Sequence, residues 1–193
     1  MSTTMIRCIR LCLLTGQRRS EVIGIALSEL SLTGAAVWTI PATRSKNGLP
    51  HRVPLAPMAL LEVRRALADA TEAAGKGGKP KFLFPSPDGG GPITANAVTR
   101  AMHRLCKRLG MAIAGPHDLR RTVGTGMAKL RVTPDIRSLV LNHTRGRSSS
   151  ETTRVYDRHG YDDEKLEALA KWEAHVRALV SVGAAENMTP LWI

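Results

Sequence analysis

Between residues 36 and 55 the chain changes its period, and that change constrains the fold more than any other feature. Elsewhere apolar residues recur at the three-to-four spacing of amphipathic helices. Here Ala36-Val37-Trp38-Thr39-Ile40 alternates toward a strand, and His51-Arg52-Val53-Pro54-Leu55 extends again beyond Lys46-Asn47-Gly48. Asn-Gly between two extended runs is a hairpin signal, because both residues tolerate positive φ. The expected fold class is therefore α+β, mainly α-helical, with a small antiparallel β-sheet or hairpin near the first third. Lys46 falls at the hairpin tip, where it can reach a ligand and move with the loop.

Proline and glycine punctuate the rest. Residues 6–14 read as the tail of an apolar helix closed by Thr15-Gly16, with Gly16 suited to a left-handed cap. A second pattern runs from Val22 to Leu27, behind Gln17-Arg18-Arg19-Ser20-Glu21. Two arginines at a helix start oppose the helix dipole, which points to an anion nearby, and Glu21 is one turn on from Arg18 to hold it. Helices are predicted over 58–74 after Pro57, over 94–109 before Gly110, and from Pro116 to about Leu130. Thr133-Pro134-Asp135 caps another that ends at Leu141. Ser148 and Glu151 have capping-box spacing and start a brief helix carrying Tyr156, and 161–180 is a long amphipathic pattern. Residues 75–80 resemble a phosphate loop superficially, but the spacing is wrong and no Ser or Thr follows the lysine.

The charge is lopsided. Lys and Arg number 28 against 16 Asp and Glu, a formal charge of +12 in 193 residues. Residues 161–193 carry more acids than bases, so the positive field belongs to residues 1–160, where a polyanion would bind. Nucleic acid is the leading candidate, ahead of an anionic membrane surface or a simple role in solubility. Cys8, Cys12 and Cys106 lie in apolar helix patterns and make no paired framework, as expected in a reducing cytosol. His103 and Cys106 share a helix face, but no second ligand pair has metal-like spacing. No stretch is long and apolar enough for a membrane span, and the opening residues lack a secretion-signal pattern.

The chemistry concentrates in residues 115–156. His117 and Arg120 are three apart, so a helix beginning after Pro116 aims both at one point. Histidine can move a proton and guanidinium can grip two oxygens. His143 and Tyr156 follow on separate short segments. Singly, each has an ordinary explanation as surface or rim chemistry. Together they form a kit for attacking a phosphodiester.

In order, Arg18, Lys46, His117, Arg120, His143 and Tyr156 resemble the tyrosine recombinases of the phage-integrase family. Thr15-Gly16-Gln17-Arg18-Arg19-Ser20-Glu21 is similar to the family's first arginine motif, and Lys46 before Pro50-His51-Arg52-Val53-Pro54-Leu55 to its hairpin lysine. His117-Asp118-Leu119-Arg120-Arg121-Thr122 matches the His-x-x-Arg box, Leu141-Asn142-His143 the third basic position, and residues 152–156 the nucleophile segment. Asn142 stands where a glycine is usual and Arg121 where a histidine is common, departures expected to tune loop shape.

The resemblance implies a catalytic core over residues 1–180, with 181–193 as a tail that docks on a neighbouring subunit. Tyr156 would attack the phosphate to give a 3′-phosphotyrosyl bond. Arg18 and Arg120 would clamp the non-bridging oxygens, His143 would donate a further hydrogen bond, and Lys46 would protonate the leaving 5′-oxygen. His117 would be either base toward Tyr156 or a phosphate partner, and Glu21 a support for Arg18. Arg19, Arg44, Arg52, Arg121, Arg145 and Arg147 are assigned to DNA contact. No metal or cofactor is expected, since two arginines can take the charge and no carboxylate cluster offers a Mg²⁺ site. The implied partner is double-stranded DNA, with a monomer free in solution, a homotetramer at synapsis, no membrane, and a cytoplasmic, nucleoid-associated setting. Family members carry an upstream DNA-binding domain, and only 14 residues precede Thr15, so a catalytic fragment is expected. The rival readings are a type IB topoisomerase-like enzyme and a truncated, non-catalytic DNA-binding remnant.

Overall fold

The computed structural model describes residues 1–75, 77–143 and 160–186. Helix α1 (Thr3–Thr15) starts where the Ser2 hydroxyl accepts the Met5 N–H, and ends at Gly16, whose φ of 67° is the left-handed cap expected there. Helix α2 (Arg19–Ile23) stops short of the predicted Leu27. Gly24 follows it, and Arg44 fills the space a side chain would need: a Cβ on Gly24 would lie 2.5 Å from Arg44 Nη1. The same guanidinium reaches the Glu21 carbonyl at 3.4 Å and so closes the helix from outside. Leu27–Glu29 then winds as a single 3₁₀ turn.

Three strands make one antiparallel sheet in the order β1 (Leu30–Ser31), β2 (Val37–Ile40), β3 (His51–Pro54). The predicted pair is present, registered Trp38 on Val53 and Ile40 on His51, and β1 is an additional short edge. The connection is longer than a two-residue Asn-Gly turn. It occupies residues 41–50, where Pro41 O accepts the Arg44 and Ser45 N–H groups and Ser45 O accepts that of Gly48.

Helices α3 (Pro57–Ala74), α4 (Ala95–Arg108), α5 (Pro116–Lys129) and α6 (Pro134–Val140) fall close to the predicted ranges, three with proline in the first turn. The last, α7 (Asp162–Glu186), runs past the expected end at 180. Among the described residues, no helix is long and apolar enough to cross a membrane.

Helix α1 is the axis of the molecule and touches α3, α4, α5 and α7. One buried cluster joins its Cys8, Leu11 and Cys12 to Trp38 and Ile40 of the sheet and to Val63, Phe84 and Val98. A second joins Val123 and Met127 of α5 to Val140, Leu141, Leu169 and Trp172. Each fully buried aliphatic or Met side chain there contributes about 1.5–3 kcal/mol. Two ties bring α7 onto this frame. Trp172 Nε1 donates to Leu13 O at 2.8 Å, and the Glu173 carboxylate accepts the Met58 and Ala59 N–H groups at 2.7 and 2.8 Å, capping α3. The end of α1 thus lies on the seam between the two cores.

Candidate active site

Helix α6 ends on that seam, and its ending builds the site. The His143 N–H returns to Ser138 O at 3.0 Å and the Asn142 N–H to Leu139 O at 3.2 Å, the paired bonds of a Schellman turn. Asn142 takes the left-handed position, φ 46°, which asparagine accepts better than most side chains. The residue that replaces a usual glycine therefore preserves the turn.

Three carbonyls are left over at this helix end, and each meets a different donor, two from the segment that follows α1 and one from α5. Gln17 Nε2 donates to Val140 O at 2.8 Å. Arg120 donates through Nη2 to Leu141 O, and through Nη1 to Gly16 O at 2.7 Å. Arg18 Nη2 donates to Asn142 O at 3.3 Å. Gly16 makes this approach possible: a Cβ there would come within 2.9 Å of Leu141 and 3.0 Å of Val123. Glu21, 1% exposed, anchors Arg18 twice, accepting from its backbone N–H and from Nη1, both at 2.9 Å.

The two predicted arginines therefore sit side by side. Burial, the nearby Arg18 charge, and against these the attraction of Glu21, set Arg120 at about 10, below the ordinary arginine value. His143 is also held below the usual histidine value, by desolvation first and then by Arg120 and Arg18. Burial beside like charge is unfavourable until an anion arrives. Arg120, His117, Arg121, Gly124, Ser138 and His143 line one cavity of about 580 Å³. The His-x-x-Arg spacing works as expected, with His117 exposed at the first turn of α5 and Arg120 buried one turn on.

Lys46 is exposed in the 41–50 loop, and its flanking residues Ser45 and Asn47 are hydrogen-bonded to Asn142. Tyr156, Arg145 and Arg147 lie outside the described residues. The other arginines assigned to DNA are differently placed. Arg44 is committed to Glu29 (2.6 Å) and the end of α2, Arg52 to Asp162 (2.6 Å), and Arg19 donates to Thr99 on α4. Only Arg121 among the described members stands exposed with a loose partner, Asp118 at 3.8 Å.

Sequence reasoning missed Gln17 and His51. Gln17 is buried because it follows the Gly16 turn directly into the seam. His51 is buried too, beside the Val140 carbonyl, and its Nε2 has no hydrogen-bond partner among the described residues. Strand alternation would have found it, since His51 and Val53 must share the inward face. Also missed was a basic stripe on α4, where Arg100, Arg104, Lys107 and Arg108 are exposed and the helix contains no acid.

Fold and site define a basic, mainly helical protein with a cavity lined by arginine and histidine at a helix end. Residues 2–163 match the model of the phage integrase family, and the chain belongs to that family. It is 29% identical over 172 residues to prophage integrase IntA of Escherichia coli K12, covering 86% of this chain and 37% of that protein. It is 30% identical over 165 residues to tyrosine recombinase XerC of Mesorhizobium japonicum, covering 85% of this chain and 48% of the other. The chain thus spans less than half the length of either relative. Its fold matches the XerH site-specific recombinase, solved bound to its difH substrate before cleavage, with a TM-score of 0.60 at 19% identity over 84% of this chain and 46% of that one.

Proposed function

We propose that this chain is the catalytic part of a site-specific DNA recombinase or integrase, cleaving and rejoining strands through a 3′-phosphotyrosyl intermediate. One observation carries the reading: Arg18 and Arg120, far apart in sequence, hold adjacent carbonyls beside His143. A guanidinium has five N–H donors, so those bonds leave others free for the non-bridging oxygens of a phosphate. The crowded positive charge favours a ligand that gains negative charge, as a pentacoordinate phosphorus does.

Tyr156 supplies the nucleophile in this reading. A phenol with pKa near 10 is only about a thousandth ionised at neutral pH, so its proton leaves as the oxygen attacks. His117 is the base for that proton or a further phosphate donor. As the tyrosyl O–P bond forms, the P–O5′ bond breaks, and the Lys46 ammonium gives the 5′-oxygen a proton. A 5′-hydroxyl from another strand reverses these steps, so the bond energy is conserved without ATP. The family membership, the charge of residues 1–160, and the DNA-bound XerH neighbour all support duplex DNA as the partner. Assembly into a tetramer at synapsis, with the 181–193 tail docking between subunits, belongs to the same proposal.

A nicked suicide substrate tests it, because loss of the short 5′-hydroxyl strand traps the adduct. The expected result is a covalent complex formed by the parent chain and absent from Tyr156→Phe, which still binds DNA. An adduct that survives Tyr156→Phe but not Tyr161→Phe would move the nucleophile. Binding with no adduct from the parent would favour the remnant reading.

A further inference from the structure

The loop that carries Lys46 is fastened to the turn that carries His143. Asn47 Nδ2 donates to Asn142 Oδ1 at 2.7 Å, Asn142 Nδ2 donates to Ser45 Oγ at 3.0 Å, and Ser45 Oγ donates to Asn47 Oδ1 at 2.7 Å. That is a closed ring of three side chains. Asn47 Oδ1 also accepts the Leu49 N–H at 3.3 Å, which draws the far side of the loop into it. Two ring members are the immediate neighbours of Lys46, one on each side.

We infer that Asn142 is a positioning residue for Lys46, holding the loop in register with His143 and the two arginines. The inference rests on Lys46 being the general acid. Its geometry is independent of that role. The Asn142 backbone is fixed from below by the Schellman bonds and by Arg18 on its carbonyl, so its amide is a rigid post. Ser45 is buried and Lys46 exposed, so the ring immobilises the loop backbone and leaves the lysine side chain free to reach outward. A general acid is effective only while its proton lies in line with the leaving oxygen, and small displacements are costly. Asparagine serves both demands at position 142: it accepts positive φ, and its amide offers a donor and an acceptor together. Glycine keeps the turn and removes the post.

Asn142→Gly is therefore the informative variant, because the fold tolerates it. Single-turnover cleavage is measured for the parent, Asn142→Gly and Lys46→Ala on an ordinary site and on one whose scissile 5′-oxygen is replaced by sulfur. A leaving thiolate needs no proton. Loss of Lys46 is expected to slow the ordinary site by roughly 100-fold or more, and loss of the Asn142 amide by roughly 10- to 100-fold. The sulfur site restores both variants to near the parent rate. Amide hydrogen exchange provides a readout that needs no catalysis: Gly48 and Leu49 exchange about tenfold faster in Asn142→Gly while α3 is unchanged. Unaltered exchange of these two amides overturns the inference, and so does a loosened loop that cleaves the ordinary site at the parent rate. A Lys46→Ala defect that sulfur fails to rescue overturns instead the reading of Lys46 as acid.

Discussion

Arg18 and Arg120 hold consecutive carbonyls, those of Asn142 and Leu141, so one helix ending fixes the spacing of both guanidinium groups. Glu21 is the carboxylate that both arginines sense, but it is bonded to Arg18 alone. Arg120 is held instead by backbone oxygens, with its charge only partly offset. A site made this way is assembled before its ligand arrives, and its stability is bound up with its function.

Arg120→Lys follows from this directly. Arg120 spans Gly16 O and Leu141 O with two nitrogens of one rigid fork, and an ammonium on a flexible stem cannot span both. A carbonyl left buried without a partner costs about 1–3 kcal/mol. Urea unfolding is expected to show that loss. Cleavage should also fall roughly 100-fold or more, as when a transition-state hydrogen-bond donor is removed. Full stability with lost cleavage would confine Arg120 to the ligand side.

His51 makes stability depend on pH. Burial foremost, then the Lys165 charge of α7, opposed by the Val140 carbonyl, then Arg120 and Arg18, lower its pKa from 6.5 to about 4. The unfolded chain therefore binds a proton that the folded one refuses. Stability from this residue is complete above pH 6.5 and is lost as pH falls toward 4, a change of roughly 3 kcal/mol. His51→Asn should flatten that part of the curve, measured by urea unfolding at several pH values. An unchanged curve would mean that His51 titrates normally.

Much of this architecture was legible because local rules decide it. Pro57, Pro116 and Pro134 open helices, Gly16 closes one, and the period change at Ala36 marks the sheet. The His117–Arg120 pair and the Glu21–Arg18 contact are one-turn relationships, set by helix geometry. Long-range matters were not legible. That Arg44 would turn back onto Glu29 and cut α2 short depends on where the sheet packs. The length of the loop hid the partnership of Asn47 with Asn142, which are 95 positions apart. Asn142 itself was visible as an exception, and only its neighbours in space show what the exception does.

The α4 stripe carries the prediction about DNA. Arg100 and Arg104 lie one turn apart on the exposed face, with Lys107 and Arg108 beyond them and no acid in the helix. Like charges at this spacing destabilise an isolated helix by about 0.2–0.5 kcal/mol per pair. A polyanion on this face would relieve that repulsion. The opposite face is core, built on Val98, Ala101, Met102 and Cys106, so changing the arginines leaves the packing alone. Replacing both with alanine should therefore keep or slightly raise thermal stability while weakening DNA binding. Removing one cation that neutralises a phosphate lowers the steepness of log K against log salt by about 0.9, so the double variant should show a slope shallower by about 2. Titrations at several salt concentrations measure it. A parent-like slope would place phosphate binding on another face, with Arg121 at the rim of the cavity as the next candidate.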